Sequence, residues 1–489
     1  MPYFVKYQLD SASLTIEPIP DATETSAGVM SAADKKKLDG LVGPSGSITL
    51  YVRPTGSNTT GDGSQSKPYA TLAYALSQLA LIGLGTTVRN IDVTGCNESY
   101  AGSLVVPPFI SSLQSSVDMD PPTPLMNVPL AVNIYATPTV VDTLQAGDTS
   151  QTQDTNTQML VKTTQTVGAG ITTNKTYMVD QMKGKIIIGA GLGQYGVCTG
   201  NTAGPNSVLS VASTTTNFTA PIQICDPGAT YQSNDGSIPM IFDEITCGVQ
   251  FSGVEVLGNG NYAVLIENAP AVVFKGSHVD GIQCIGGGWN GLLNSTYVTN
   301  KYYAQQAPNC IGCFFDSLVD WAEICEPFSQ LLSHCVWDNC PPIGQNSELL
   351  GFLTDGLSLI QMNRCLVTNA QSVGLAHGGA PMVMNRVTLN DGADDAIFAQ
   401  GPGGRLTLSR VIGTGNAGYG LHADDGDHVQ VDGNTNVTGE GGDLLVGGMG
   451  GRTWVDFRGM APTKNQFDVP GFTGVTTPDT CTGARVWQP

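Results

Sequence analysis

The 489 residues include 61 glycines and only 13% are charged, a turn-rich balance that excludes a coiled coil or a disordered chain and allows roughly two or three domains. Acidic residues outnumber basic ones by 41 to 21, and the net charge of −20 argues against nucleic acid and against anionic membrane surfaces as partners. No apolar run is long enough to span a membrane, and Met1-Pro-Tyr-Phe-Val-Lys6 lacks the regions of a secretory leader, so synthesis in a cytoplasm is expected.

Residues 1–45 stand apart from the rest. Ser31 can cap a short helix, Asp34 falls in its first turn and Gly40 can end it. Met30, Ala33, Leu38 and Leu41 give that helix an apolar stripe too short to be stable alone, so it needs a partner, most simply its own copies around a threefold axis. Lys35, Lys36 and Lys37 read as a solvated face. The run Gly28-Val-Met-Ser-Ala-Ala-Asp-Lys-Lys-Lys-Leu-Asp-Gly40 resembles a short motif common in phage tail fibre and tailspike proteins, near the part that joins the fibre to the particle. The resemblance implies a virion protein made in the host cytoplasm. It also implies a homotrimer attached through residues 1–45 to tail, collar or baseplate proteins, with Met30, Leu38 and Leu41 in the attachment.

Residues 46–245 read as the entry to a larger fold. A strand from Thr49 to Val52 leads into a Gly-Asp-Gly loop. Leu72, Ala75, Leu76 and Leu79 then give a helix with one apolar face and Thr71 as its N-cap. Such a helix can cover the open bottom coil of a stacked β structure. The order strand, Gly-Asp-Gly loop, Lys67-Pro-Tyr69, Thr71, helix resembles the entry of pectate-lyase-like right-handed β-helices. Strand candidates follow at Arg89–Val93, Ala131–Ala136, Lys185–Ile188, Ser207–Val211 and Pro221–Ile224, separated by polar stretches at Gly147–Thr157 and Thr163–Thr176. These stretches read as irregular loops inserted on early coils, or as a separate small β domain from about 110 to 240.

Residues 246–460 repeat. Met362, Met384, Leu408, Val431 and Val455 recur at steps of 22 to 24 residues, and Leu375, Ile397, Leu421 and Leu444 follow the first four at a constant offset. A period of about 20–50 residues marks stacked supersecondary units. Units this short hold two or three strands and no helix, and coils that each add about 4.8 Å stack like residue on like residue. The expected fold is all-β, a right-handed parallel β-helix with a short N-terminal helical anchor and a capping helix. Residues 461–489, with four prolines, read as an extended tail.

The chemistry is sparse. The twelve cysteines read as stacked free thiols in the core, as disulfides formed after release, or, at Cys310, Cys313, Cys335 and Cys340, as a metal site. None of the five histidines has ligand spacing with another, so no metal and no cofactor is expected. Glycosidases pair two carboxyl groups about 5–5.5 or about 6.5–9.5 Å apart. Asp391 with Asp394 or Asp395 is the candidate catalytic pair within one coil; Asp424 and Asp425 fall on a different edge, roughly 15–20 Å away. The pair faintly resembles the acidic signature of polygalacturonase-like hydrolases, without that family's following Gly-His-Gly and Arg-x-Lys elements. Solvated turn acids or a Ca²⁺-bound turn are the competing readings. Trp289, Trp321 and Trp337, with Tyr302 and Tyr303, lie in one arc of coils, where aromatics either stack on sugar rings or fill a protomer interface. Trp289, Trp321 and Trp337 are the candidate glycan-binding residues.

Taken with the resemblance, these residues point to a tailspike-like virion protein that recognises host surface polysaccharide, more a binding protein than an enzyme. A polysaccharide hydrolase or lyase and a purely structural collar or baseplate spike are the alternatives.

Overall fold

The structure is a computed structural model that describes residues 48–82, 88–107, 130–163, 166, 168–243, 245, 248–267, 269, 271–285, 292–304, 309–319, 323–324, 330–342, 360–377, 381–400, 405–424, 428–432, 434–446, 454–458, 465–467 and 485–487. The expected anchor helix, with Met30, Leu38 and Leu41, lies outside the described residues.

Three faces of parallel strands run the length of the molecule. The first face starts at Ile48–Tyr51, Arg89–Asp92 and Leu130–Tyr135 and ends at Trp454–Arg458, where Arg485–Trp487 adds antiparallel. The second runs from Asn97–Tyr100 through Ala229–Ser233 to Asn436–Gly439. The third runs in two stretches, from Leu104–Val106 to Glu323–Ile324 and from Leu375–His377 to Asn465–Phe467. The chain visits the faces in turn, so it is a parallel β-helix, wound in the right-handed sense that parallel crossovers favour. Side chains alternate in and out along each strand. Val254 and Val256 point in while Glu255 is half-buried. Like stacks on like: Val249 on Val272 and Phe251 on Phe274, whose rings stack 5.5 Å apart.

The corners are single left-handed residues. Between the first and second faces they are Gly253, Gly276, Ser295, Gly312, His334, Arg364, Arg386 and Arg410, with φ between 47° and 67°. Between the second and third they include Asn300, Asn339, Asn369 and Asp391. Asparagine and aspartate tolerate this conformation because their short side chains bond locally. The residue after each corner between the first and second faces turns inward, and where it is serine, threonine or cysteine its side chain donates to a backbone carbonyl. Thr296 Oγ1 reaches Phe274 O at 3.1 Å, Cys313 Sγ reaches Leu293 O at 3.1 Å and Cys335 Sγ reaches Cys310 O at 3.3 Å. Cys310, Cys313, Cys335, Cys340 and Cys365 are therefore free thiols of the core, not disulfides or metal ligands. Burial pushes the Cys340 thiol up to about 12, which leaves it unreactive.

The repeat holds with one shift. Met362 pairs with Met384, Met384 with Leu408 and Leu408 with Val431, and the row from Leu375 to Leu444 is in register throughout. Val431, however, pairs with Phe457, and Val455 pairs with Val429, so the last coil is two residues longer than the spacing suggests.

The helix Leu72–Ile82 closes the bottom. Leu72, Ala75, Leu76 and Leu79 are buried in the same core as the coils. Thr71 Oγ1 accepts the Tyr74 N–H at 3.3 Å as an N-cap, and Glu98 accepts the Leu72 N–H at 2.9 Å.

Between Leu130–Tyr135 and Ala229–Ser233 the chain leaves the solenoid and builds a seven-stranded antiparallel sheet from Thr139 to Asp226. The polar stretches there are not irregular loops alone: Thr149–Thr152 pairs with Gly170–Thr173, as their β-branched threonines favour. Leu144, Ile171, Leu209 and Ile224 give this sheet its own core.

Candidate functional site

The inserted sheet lies against the outer side of the second face. Outward-facing Phe314, Val336 and Leu366 stack coil on coil and meet Met159, Val161, Val197 and Ala212 of the insert. Tyr297 stacks on Phe314 at 5.3 Å and donates its hydroxyl to Asp316 at 2.8 Å. Lys183 of the insert pairs with Asp316 at 2.9 Å and Asp338 at 3.6 Å. Burial opposes its charge, but the hydrogen bond to Asp316 and the surrounding carboxylates outweigh it and hold Lys183 above its ordinary value. At the other border Asn156 Nδ2 donates to Val387 O at 3.2 Å and Thr388 Oγ1 at 3.1 Å.

Where the seam opens, it leaves a cleft of about 320 Å³. That is within the range of about 300–1,000 Å³ typical of ligand pockets. Phe314, Val336, Leu366 and Val161 lie almost fully buried beneath it, and half-buried Val208 with exposed Val179 gives it its apolar surface. Thr199, Thr202, Ser210, Thr368 and Asn369 bring hydroxyl and amide groups, and Lys162, Asp180 and Asp338 bring charge. Asn369 Nδ2 donates to Asp338 Oδ1 at 2.7 Å, which fixes that carboxylate beside the cleft. Val179 on the rim is 67% exposed. Apolar surface bordered by hydroxyl, amide and carboxylate groups can pack against one side of a polyol ring while bonding its hydroxyls. No residue of this cleft was singled out by the sequence. The nearest signal was the length of the polar stretches, since long insertions in compact domains are commonly functional.

The acidic coil holds its three carboxylates in different settings. Asp391 is an exposed corner residue with φ 55°, in the position held by Asn369 one coil earlier. Asp394 is exposed. Asp395 is only 7% exposed. It accepts the Tyr419 N–H at 2.6 Å and faces His422 Nδ1 at 2.7 Å. His422 is stacked in register above Phe398, with ring centroids 4.7 Å apart. Asp395 thus stands beside His422, a histidine that the sequence did not pair with it. Their spacing, 27 residues, is three more than the 24 that separate Phe398 from its partner His422 in the next coil, a signal visible only once the register is known.

The tryptophans divide. Trp289 and Trp321 lie outside the described residues. Trp337 is 1% exposed and stacks on Phe315 inside the solenoid at 5.1 Å, so it is a core residue and not a glycan-binding one. The left-handed corner at His334 resets the alternation, turning Val336 outward and Trp337 inward. Tyr302 is likewise buried against Phe315. No group of histidine, cysteine, aspartate or glutamate among the described residues is placed to hold a metal ion.

No protein-family model matches the chain, and no curated protein matches it. Solved structures similar to it include one described as a glycoside hydrolase, 9% identical with a TM-score of 0.22, covering 82% of this chain and 96% of that one. Another is the tailspike protein gp49 from Pseudomonas phage LKA1, 11% identical with a TM-score of 0.26, covering 81% of this chain and 74% of that one.

Proposed function

We propose that this chain is a tailspike-like appendage protein of a tailed phage that binds a surface polysaccharide of its host in the cleft between the inserted sheet and the β-helix. The observation that carries the binding reading is the cleft itself, in which Val179 and Val208 stand among hydroxyl, amide and carboxylate groups. The motif from Gly28 to Gly40 supports attachment of a homotrimer to the particle through residues 1–45, at the tail, collar or baseplate. The test is to incubate the purified protein with host surface polysaccharide and follow both components by size-exclusion chromatography with light scattering. Intact glycan that elutes with the protein is expected, and Thr199→Trp, which fills the cleft, is expected to weaken binding by ~10-fold or more. Glycan that never co-elutes would favour a purely structural spike.

A depolymerase is the second reading, and the Asp395–His422 pair favours it. A carboxylate on Nδ1 orients an imidazole so that Nε2 can exchange a proton with substrate. Polymer shortened by the native protein and left intact by His422→Gln, with binding retained, would establish it.

A further inference from the structure

The first corner of the solenoid changes character along its length. Early coils place Gly253, Gly276 and Gly312 there; three later ones place Arg364, Arg386 and Arg410, at φ 55°, 57° and 54°. A residue with a Cβ is strained in this conformation and glycine is not. The corners are in register, because Arg364 N donates to Asn385 O and Arg386 N to Ser409 O, each at 2.9 Å. The three side chains therefore leave one edge at successive coil spacings of about 4.8 Å.

No described residue neutralises their charges. The chain carries 20 more acidic than basic groups, and Arg53, Lys175, Lys183 and Lys185 are each paired with a carboxylate. No carboxylate pairs with Arg364, Arg386 or Arg410 among the described residues. Arg386 reaches only the Asn156 carbonyl, at 3.4 Å, and Arg364 Nε is buried with no hydrogen-bond partner. Asp432, one coil on from Ser409, is occupied by Ser409 Oγ at 2.6 Å and by the Arg410 and Asn434 N–H groups. Burial, and after it the charges of Arg410 and Arg364, hold the Arg386 guanidinium below its ordinary value. Three like charges in a row, on strained backbone and without counter-charge among the described residues, are a costly arrangement for folding alone and a fitting one for an anionic ligand.

We propose that Arg364, Arg386 and Arg410 form an anion-binding edge that takes successive carboxylate groups of an acidic polysaccharide laid along the solenoid axis. This deepens the preceding reading by giving the glycan a charge. It is tested apart from that reading, since a model polyuronate requires neither the host polymer nor the cleft.

The experiment is binding of the full chain to polygalacturonate, with neutral dextran and a single-stranded DNA oligonucleotide as comparisons, by calorimetry at low and high salt. Binding to polygalacturonate that weakens with salt, with none to dextran, is expected. The triple variant R364G/R386G/R410G should lose ~10-fold or more in affinity. It should unfold no earlier than the native chain, because glycine suits each corner. Arg386→Gly alone should weaken binding, while Arg405→Gly, at an exposed position outside the row, should not. A folded triple variant that binds polygalacturonate as the native chain does would overturn the proposal. So would absence of binding by the native chain, or equal binding of the DNA. Should the triple variant fail to fold, the contrast between Arg386→Gly and Arg405→Gly decides the matter.

Discussion

His334 occupies the corner that Gly312 holds one coil earlier and Arg364 one coil later, and it is almost fully enclosed. Ser333 Oγ lies 2.7 Å from its Nδ1. Burial first, and the Arg364 charge second, push its pKa down to about 4 from the ordinary 6.5. Between those values the unfolded chain binds a proton that the folded chain refuses, so stability falls as pH drops from about 6.5 to about 4. The loss from this one group is on the order of 3 kcal/mol. His334→Asn keeps a side chain that tolerates the left-handed corner and removes the titration. Urea midpoints measured near pH 7 and near pH 4 should fall less for this variant than for the native chain. Asp92, Asp142 and Asp432, whose pKa values are lowered, lose their stabilising contribution on acidification in both proteins, so the difference isolates the histidine. An identical fall in both would show that the imidazole is protonated without cost.

The strand-and-corner unit explains what the sequence made legible and what it hid. The row Leu375, Ile397, Leu421, Leu444 was readable because inward-facing residues must match from coil to coil, and the structure keeps that register. Gln330–Ser333 and Val336–Asp338, separated by only two residues, belong to different faces. A single left-handed residue leaves no composition signal when it is histidine or arginine, and it inverts the in–out alternation, which turns Trp337 into the core. The cleft was hidden for a related reason. Its residues come from strands more than a hundred positions apart, joined only by how the insert sits on the second face. The capping helix, by contrast, was readable from its own spacing, and its energetics can be checked locally. Leu76→Ala should cost about 2–5 kcal/mol, because the side chain seals the bottom of the core, whereas Thr71→Ala should cost about 1 kcal/mol for one lost cap. Denaturant titrations of both variants would check the order, and a smaller loss for Leu76→Ala would mean that the helix lies on the solenoid without closing it.

At the scale of the whole molecule, the solenoid core and the insert core are separate. The solenoid core runs from Leu50 to Leu444 without a residue from 137–228, and the insert closes its own core from Leu144 to Ile224. The two ends of the insert also meet, since a side chain at Gly228 would run into the Thr137 carbonyl, and Gly228 N donates to Gly253 O at 2.8 Å within the solenoid. Residues 138–227 can therefore be replaced by a short glycine-serine link without changing the path of the coils. The excision uncovers Phe314, Val336 and Leu366, an apolar row that would drive aggregation, so all three should be changed to threonine in the same variant. The expected product is soluble, keeps the β signature in circular dichroism and still unfolds cooperatively, as a stack of coils bound to their neighbours does. It should lose binding of the host polysaccharide, because half of the cleft is gone, and keep binding of polygalacturonate, because the arginine corners belong to the solenoid. Loss of both activities in a folded product would mean that the insert positions the arginine edge through Asn156, and loss of folding would mean that the seam, with Lys183 between Asp316 and Asp338, holds the middle coils together.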